Sequence, residues 1–139
     1  MIRAVLDTNI LVSALLVPLG NEAQALIAVR RGLVCPCFSD LIAAEYAEVL
    51  NRRKFPFRRS SIDETLELIQ TKGMSFQPQL VAGLSPDPED DAPIACAVVA
   101  QAHFLVTGNR RHFPQEACGL TKVVSARELV EFLRTPQSL

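Results

Sequence analysis

The sequence lacks a hydrophobic run long enough to cross a membrane. The longest candidate, residues 10–19, contains Pro18 and is followed at once by Gly20, whereas a membrane helix needs about 18 to 20 consecutive apolar residues. The apolar run at the N-terminus ends at Asp7, and it has neither the length nor the small-residue cleavage site of a secretion signal. We therefore expect a cytoplasmic protein that does not contact a membrane.

Cysteine patterns typical of zinc sites are also missing. The four cysteines include no C-x-x-C pair, because only one residue separates Cys35 from Cys37. Cys96 lies within an apolar run, residues 94–100. Isolated cysteines of this kind are usually small buried side chains. We expect all four, Cys118 included, to be free thiols in a reducing compartment.

Charge of one sign is not in excess either. Fourteen Lys and Arg residues face fifteen Asp and Glu residues, which gives a net charge of −1. Any contact with nucleic acid would therefore have to come from a local basic patch. With 139 residues, 49% of them hydrophobic, and with no internal repeat or linker, the chain is predicted to form a single domain over residues 1–139.

Short apolar runs alternate with segments of helical spacing. Residues 2–6 show no polar alternation, which is typical of a strand buried on both faces of a parallel sheet. Further strands are predicted at 33–38, where Pro36 weakens the pattern, and at 74–78, 103–107 and 122–124; helices are predicted at 10–16, 21–31, 40–50, 60–69, 90–102 and 126–134. This alternation predicts an α/β fold, a three-layer α/β/α sandwich around a central, mainly parallel sheet.

The first candidate site residue is Asp7, which follows the first predicted strand directly. Ligands of an open parallel sheet bind beyond the carboxyl ends of its strands, so this carboxylate is predicted to face the ligand crevice. A purely structural role as the N-cap of the following helix is an equally good interpretation of Asp7 taken alone.

A second candidate is Glu45, in the helix predicted after Ser39. The apolar stripe of that helix comprises Leu41, Ile42, Tyr46, Val49 and Leu50. Glu45 lies at the edge of the stripe, where a half-buried acid is costly unless it meets a cation or a hydrogen-bond donor. Glu48, three residues on, is a weaker substitute, and a solvated helix face is the ordinary alternative for both.

Four acids crowd into five positions before the helix predicted from residue 90: Asp87, Glu89, Asp90 and Asp91. Helix capping and the helix dipole explain part of this. Because neighbouring carboxylates repel one another, a bound divalent cation is the simplest reason to keep them together. Oxygen ligands of this type select magnesium or manganese over zinc.

Four motifs in this order resemble those of the PIN-domain family. They are the run from Asp7-Thr8-Asn9 to Leu15, the helix with Glu45-Tyr46, the segment Asp87-Pro88-Glu89-Asp90-Asp91, and Phe104-Leu105-Val106-Thr107-Gly108-Asn109. The resemblance spans residues 2 to about 133. It implies a PIN-like fold and the activity of a family that comprises ribonucleases, many of them the toxins of toxin–antitoxin pairs.

The resemblance also implies a site. Asp7, Glu45 and Asp90 match the family's first three acids and are the expected catalytic residues and ligands of Mg²⁺ or Mn²⁺. At the fourth position many relatives carry aspartate, whereas this chain has Asn109, which brings no negative charge. Asp91 could compensate as a further metal ligand, or the site could hold one ion weakly instead of two.

The expected function is thus a metal-dependent endoribonuclease that hydrolyses phosphodiester bonds of RNA, a toxin that forms a homodimer and is held in check by an antitoxin. Thr8 and Asn9 would position the first acid, while a structural role is expected for His103 and His112. Basic residues at 52–59 and 110–111 could contact RNA, with Phe55 and Phe57 stacking on bases. Folding of both phenylalanines into the core is an equally good interpretation.

Two alternatives stand beside this hypothesis. The first is a catalytically weak or inactive PIN-like module that binds RNA or protein, which Asn109 makes plausible. The second is a receiver-like or phosphatase-like domain with Asp7 as phosphate acceptor. It ranks low because Asp7-Thr8-Asn9 lacks the second aspartate of a phosphatase motif and no lysine stands clearly opposite.

Overall fold

The computed structural model describes residues 1–78, 83, 85 and 90–135. These residues form five strands, β1 (Ile2–Leu6), β2 (Val34–Phe38), β3 (Met74–Ser75), β4 (Phe104–Val106) and β5 (Lys122–Val124). All strand pairs are parallel, in the order β3-β2-β1-β4-β5. The helices are α1 (Thr8–Leu16), α2 (Asn21–Arg30), α3 (Asp40–Leu50), α4 (Arg59–Lys72), α5 (Asp91–Ala100) and α6 (Ala126–Arg134).

The strand order places helices on both faces of the sheet. From β1 the chain moves outward one way through β2 and β3, and the other way through β4 and β5. Right-handed crossovers in opposite directions set α5 on the face opposite α1 and α2. The predicted three-layer α/β fold is therefore confirmed, and its sheet is parallel throughout.

Strand β2 forms despite its proline. All five of its residues are buried, and Pro36 pairs with Ala4 of β1. On the other side, pairing with β3 begins only at Cys37. Pro36 thus lies where β2 has a ladder partner on one side alone, the position in which a missing N–H is tolerated.

Helix α3 begins where the sequence predicted. The Ser39 side chain caps it by accepting a hydrogen bond from the Ile42 N–H (3.4 Å). Four of the five predicted stripe residues are buried, but Leu41 is 54% exposed, so its inclusion in the stripe was wrong. Leu41 precedes Ile42, which is buried in the same turn, so the two side chains point in directions about 100° apart around the helix.

Several boundaries differ from the sequence prediction. Helix α1 begins at Thr8, directly after Asp7, and α4 extends to Lys72. The sequence predicts a polar loop at 108–114, and this segment contains a 3-10 helix, Arg110–His112; a second one follows at Gln115–Ala117. From their Pro and Gly content, residues 82–89 are predicted to form a loop, and they lie outside the described residues except for Gly83 and Ser85.

The four cysteines are buried and free, as predicted. Burial raises the pKa of Cys37 and of Cys96 to about 12, and that of Cys118 to about 11. These three thiols are therefore protonated and unreactive at neutral pH.

No single helix within the described ranges is long and apolar enough to cross a membrane. Helices α1 and α2 would meet the length and composition criteria only as a pair, and they are bent by 104° relative to each other.

Candidate active site

Asp7 lies at the carboxyl edge of the sheet, between the ends of β1 and β4. Its backbone N–H donates to the carbonyl of Val106 (2.9 Å), which extends the pairing of the two strands by one residue. Thr107 follows β4 as Asp7 follows β1, and its hydroxyl donates to Oδ2 of Asp7 (2.8 Å). Asp7 as a whole residue is only 8% exposed. It therefore projects into the predicted crevice and not into solvent.

The environment of Asp7 compensates its charge only in part. Burial raises the pKa of this carboxyl above its ordinary value and outweighs the groups that lower it. Those groups are the Thr107 hydroxyl, the backbone N–H groups of Asn9 and Thr8, and the nearby imidazole of His112. A buried carboxylate of this kind costs folding free energy unless a cation binds beside it.

Glu45 is brought to the same edge by the docking of α3. The buried Tyr46 hydroxyl donates to the carbonyl of Leu6 (2.5 Å), which fixes α3 against the end of β1. The preceding residue, Glu45, then accepts a hydrogen bond from the hydroxyl of Thr8 (2.5 Å), the neighbour of Asp7. Burial raises the pKa of Tyr46 well above its ordinary value, and the charges of Asp7 and Glu45 add to this effect.

Glu48, the weaker candidate on α3, faces away from this edge. Its side chain is 61% exposed, and its carboxylate forms a bidentate pair with the guanidinium of Arg52 (2.9 and 3.1 Å). A solvent-exposed pair of this type contributes little to stability. Of the two acids on α3, Glu45 is the one that lies beside Asp7.

Asp90 precedes α5 and contacts a histidine. Its Oδ2 atom lies 2.8 Å from Nδ1 of His112, and the Asp90 side chain is 16% exposed. His112 is also close enough to Asp7 to lower the pKa of that carboxyl. His112 therefore links the first and third candidate acids.

Asp91 faces the neighbouring loop. Its two carboxylate oxygens accept hydrogen bonds from the backbone N–H groups of Ser85 (2.7 Å) and Gly83 (3.2 Å). These bonds hold Ser85 and Gly83 at the start of α5. Each oxygen of the Asp91 carboxylate is thus already engaged by one backbone donor. Asp87 and Glu89 lie outside the described residues.

Asn109 acts on the site through its backbone. Its N–H donates to Oγ1 of Thr107 (3.0 Å), whose own hydrogen is donated to Asp7. Each group in this short chain orients the next. The side chain of Asn109 is exposed and brings no charge to the site.

The three candidate acids suit a hard divalent cation by the chemistry of their donors, since all are carboxylates and Asp7 is buried without full compensation. Their arrangement is looser than a formed metal site. Within residues 1–78, 83, 85 and 90–135, no group of three or more His, Cys, Asp or Glu side chains lies close enough to hold an ion. In this arrangement Asp7 accepts a hydrogen bond from Thr107 and Glu45 accepts one from Thr8, while Asp90 lies at ion-pair distance from His112.

Sequence reasoning missed two residues of the site. Thr107 carries a recognisable signal, because it follows a strand directly, as Asp7 does. His112 carries none, because its contact with Asp90 depends on the path of the loop after β4. His103 has the structural role predicted for it, since its Nδ1 accepts the backbone N–H of Arg3 (3.0 Å).

The basic cluster at 52–59 has its aromatic side chains turned toward the protein. Phe55 and Phe57 stack on each other, with ring centroids 5.1 Å apart, and both pack partly buried against the core. The ammonium group of Lys54 lies 5.1 Å from the centroid of the Phe55 ring. The cluster therefore presents positive charges to a ligand, but its phenylalanine rings are not available for stacking on nucleic-acid bases.

Comparison with known proteins agrees with this architecture. No curated protein matches the sequence. Among solved structures, a chain of the crystal structure of VapBC2 from Rickettsia felis, bound to a DNA fragment from their promoter, has a similar fold. The TM-score is 0.57 at 15% identity, over 89% of this chain and 98% of that one. At this identity the likeness supports the fold alone.

A family model described as PIN domain matches residues 3–111, which include the ends of β1 and β4 and the whole of α3 and α5. Its members are in general nucleases that use divalent metal ions. The match covers far more than half of the sequence, so the chain belongs to the PIN-domain family.

Proposed function

We propose that this protein is a metal-dependent endoribonuclease that hydrolyses phosphodiester bonds of RNA. The observation that carries the proposal is the buried carboxylate of Asp7, whose pKa is raised by burial at the carboxyl edge of a parallel sheet. Membership of a nuclease family supports it. The placement of the other two acids supports it as well. Glu45 accepts a hydrogen bond from Thr8, the residue after Asp7, and Asp90 contacts His112, which also lies near Asp7.

Asp7, Glu45 and Asp90 would hold Mg²⁺ or Mn²⁺. A bound ion of this kind lowers the pKa of a water ligand and neutralises charge on a phosphodiester. The chain's own contribution is orientation: Thr107 fixes Asp7, and Thr8 fixes Glu45. Because Asn109 is uncharged, we propose a site with less negative charge than the family's four-acid pattern would give.

We further propose that the nuclease is the toxin of a toxin–antitoxin pair, that it is a cytoplasmic homodimer, and that an antitoxin protein covers it. The VapBC2 complex from Rickettsia felis, to which the fold is similar, supports this part of the proposal. The test is growth: induced expression should arrest a bacterial host, and Asp7→Asn should relieve the arrest. Equal arrest by both proteins would remove Asp7 from the toxic activity.

The biochemical test is cleavage of a panel of RNAs by the purified chain with Mg²⁺, Mn²⁺ or EDTA. We expect cleavage with metal, none with EDTA, and a loss of at least about a hundredfold for Asp7→Asn, because electrostatic stabilisation at the reacting phosphate is usually the largest single contribution to catalysis. Glu48→Gln is the matched control, since Glu48 is on the same helix as Glu45 but faces solvent. Cleavage by Asp7→Asn at the native rate would refute the proposed mechanism.

A second candidate is a catalytically weak or inactive module that binds RNA or protein. Two observations favour it: Asn109 at the family's fourth acidic position, and the absence of any three-residue metal-binding group among the residues described. Manganese binding separates the two candidates. A nuclease should bind Mn²⁺ and lose that binding in Asp7→Asn, whereas a module of the second kind should bind RNA equally well with either residue.

A further inference from the structure

The connection between α3 and α4, residues 51–58, is a compact loop whose ends are tied together. The Asn51 side chain donates to a carbonyl in the last turn of α3 (2.7 Å), and its Oδ1 atom accepts a hydrogen bond from the guanidinium of Arg59 at the start of α4 (3.1 Å). Inside the loop the rings of Phe55 and Phe57 stack on each other and pack against the core. The loop therefore has a defined shape, as compact functional loops with close ends do.

Five cations lie in this loop or next to it, and two of them are neutralised within the protein. Arg52 pairs with Glu48 of α3 (2.9 Å), and Arg59 pairs with Asp63 of α4 (3.4 Å). The other three are exposed and form no ion pair with the part of the chain that the structure describes; these loop cations are Arg53, Lys54 and Arg58. Three like charges on one short loop repel one another, and a bound anion relieves this repulsion.

Helix α3 sets the distance between the loop and the candidate acids. Glu45 of this helix accepts a hydrogen bond from Thr8, and the helix ends five residues later, at Leu50. At 1.5 Å per residue, the loop begins about 8 Å from Glu45 along the helix axis. That is close to the Debye length of about 10 Å in 0.1 M salt, so the charges of the acids are partly screened from a ligand at the loop. A single RNA strand can thus contact the loop and the acids together, and contact at the loop does not need a metal ion on the acids.

The surface of the loop favours a phosphate backbone over other anionic ligands. An acidic protein segment depends on apolar contacts for much of its affinity, whereas this loop packs both phenylalanine rings against the protein. For the same reason RNA bases have no aromatic platform here. Exposed positive charge remains, and it binds phosphates without regard to base sequence.

We propose that loop 51–58 is a phosphate-binding element, which holds RNA beside the candidate acids through Arg53, Lys54 and Arg58. The stacked phenylalanine rings shape the loop and do not contact bases. The proposal rests on the proposed function in taking RNA as the ligand, but it assigns a site outside the family's acidic motifs. Binding at the loop is separable from cutting, and it sets affinity without setting sequence preference.

The test measures the affinity of the full chain for fluorescently labelled single-stranded RNA in EDTA, which prevents metal-dependent cleavage. Changing all three loop cations to glutamine should raise the Kd roughly tenfold or more in 0.1 M salt. The slope of log Kd against log salt should fall by about two, because each phosphate contact on a single strand contributes about 0.7. A charge-retaining variant, Arg53→Lys with Lys54→Arg and Arg58→Lys, should keep the Kd within about threefold of the native value. A native Kd in the glutamine variant overturns the proposal.

A matched control removes the same charge from the opposite edge of the sheet. Three exposed cations lie where strands begin: Arg31 precedes β2, Lys122 opens β5, and Arg134 lines one groove together with Arg31. Their triple glutamine variant has the same net charge as the loop variant, and its Kd should stay within about twofold of the native value, since distant exposed charges are screened. Equal weakening in both variants would show that only net charge matters, and would overturn the assignment to the loop.

Single variants keep the test valid if the triple variant does not fold, which its urea midpoint reports. Arg53→Gln and Arg58→Gln each alter one exposed side chain. Each should raise the Kd several-fold and reduce the salt slope by about 0.7. Native values of both quantities in both single variants would overturn the proposal in the same way.

Two further ligands identify what the loop recognises. An oligomer of the same length with abasic sites in place of the RNA bases should bind with a Kd within about threefold of that of the ordinary RNA, since the phosphates carry the interaction. A loss of roughly tenfold or more would show that bases are read, and would overturn the assignment to phosphates. Binding of poly-L-glutamate that depends on the loop cations, with RNA affinity unchanged in the glutamine variant, would identify an acidic protein as the ligand and overturn the proposal.

Cleavage assays separate this proposal from the nuclease assignment. With Mn²⁺ the loop variant should show a raised KM and a native kcat, the pattern of lost uniform binding. If the native chain cuts RNA and the loop variant has a native KM and a native Kd, the loop site is refuted and the nuclease stands. If the native chain binds RNA through the loop but cuts it with neither Mg²⁺ nor Mn²⁺, the loop site stands and the nuclease is refuted.

Discussion

At the scale of single residues, the site combines a buried acid with donors that only partly compensate its charge. Asp7 accepts a hydrogen bond from Thr107, yet burial still raises the pKa of its carboxyl. A carboxylate whose pKa is raised by burial lowers the stability of the folded protein when it is ionised. The stability of the protein should therefore depend on pH, on mutation of Asp7 and on added metal, because all three change the charge at this carboxyl.

Asp7→Asn is predicted to stabilise the protein at neutral pH when divalent metal is absent. Because the pKa of Asp7 is higher in the folded than in the unfolded chain, the folded state binds more protons in the window that begins at the ordinary value of 3.8. The contribution of Asp7 to stability consequently falls as pH rises through that window, and its cost is complete above the raised pKa. The difference in Tm between variant and native chain should be largest near pH 7 and shrink toward pH 4.

Asp91→Asn is the matched control for that experiment, with the opposite sign. The Asp91 carboxylate accepts two backbone N–H groups, and an amide can accept only one of them and places its own N–H₂ group against the other. We expect a loss of about 1–3 kcal/mol in the free energy of unfolding. A lower Tm for Asp7→Asn than for the native chain at pH 7 in EDTA would contradict the prediction for Asp7.

Tyr46→Phe tests how α3 is docked. The variant loses a buried hydrogen bond to the carbonyl of Leu6 and leaves that carbonyl without its side-chain donor. We expect the free energy of unfolding to fall by about 1–2 kcal/mol, measured by urea denaturation. Leu41→Ala, on the exposed side of the same helix, should change it by less than about 0.5 kcal/mol. An unchanged urea midpoint for Tyr46→Phe would show that the hydroxyl does not hold α3.

At the scale of elements, the connection from α4 to β3 depends on close approach of two backbones. A Cβ atom at Gly73 would lie 2.3 Å from the carbonyl oxygen of Pro36 and 2.5 Å from that of Ile69. Neither oxygen can move aside without displacing β2 or the last turn of α4. Gly73 is thus required by space, since its φ of −98° is open to any residue.

Gly73→Ala is accordingly predicted to destabilise the chain by roughly 1–3 kcal/mol, the usual cost of overpacking. Gly108→Ala is the control, because nothing lies within 4 Å of a Cβ atom there and its φ does not favour glycine. It should change the free energy of unfolding by less than about 0.5 kcal/mol. Thermal denaturation of both variants in EDTA measures the difference, and equal Tm values would refute the steric argument.

At the scale of the whole molecule, the sequence predicted what depends on local pattern. The apolar runs at β1 and β5 and Ser39 before α3 predicted the order of these elements, and the end of β1 predicted the position of Asp7. Contacts between residues far apart in the chain could not be predicted from local sequence pattern. Thr107 meets Asp7 across 100 positions, and only the register of β1 with β4 determines that contact.

The orientation of Asp91 was unpredictable for a related reason. In sequence Asp90 and Asp91 are equivalent neighbours, and either could face a cation. Helix α5 begins between the two residues. The Asp90 side chain faces His112, whereas the Asp91 side chain faces Ser85 and Gly83. The choice depends on two loops that the sequence pattern shows only as polar.

The pairing of β1 with β4 has a consequence for synthesis of the protein. The ribosome releases Asp7 among the first residues and Thr107, with Asn109 and His112, only after about three quarters of the chain has emerged. Until β4 adds to the sheet, the growing polypeptide has the first acid but not the hydroxyl that orients it or the imidazole beside it. For the toxin that we propose, the expected consequence is a chain without its assembled site for most of its translation.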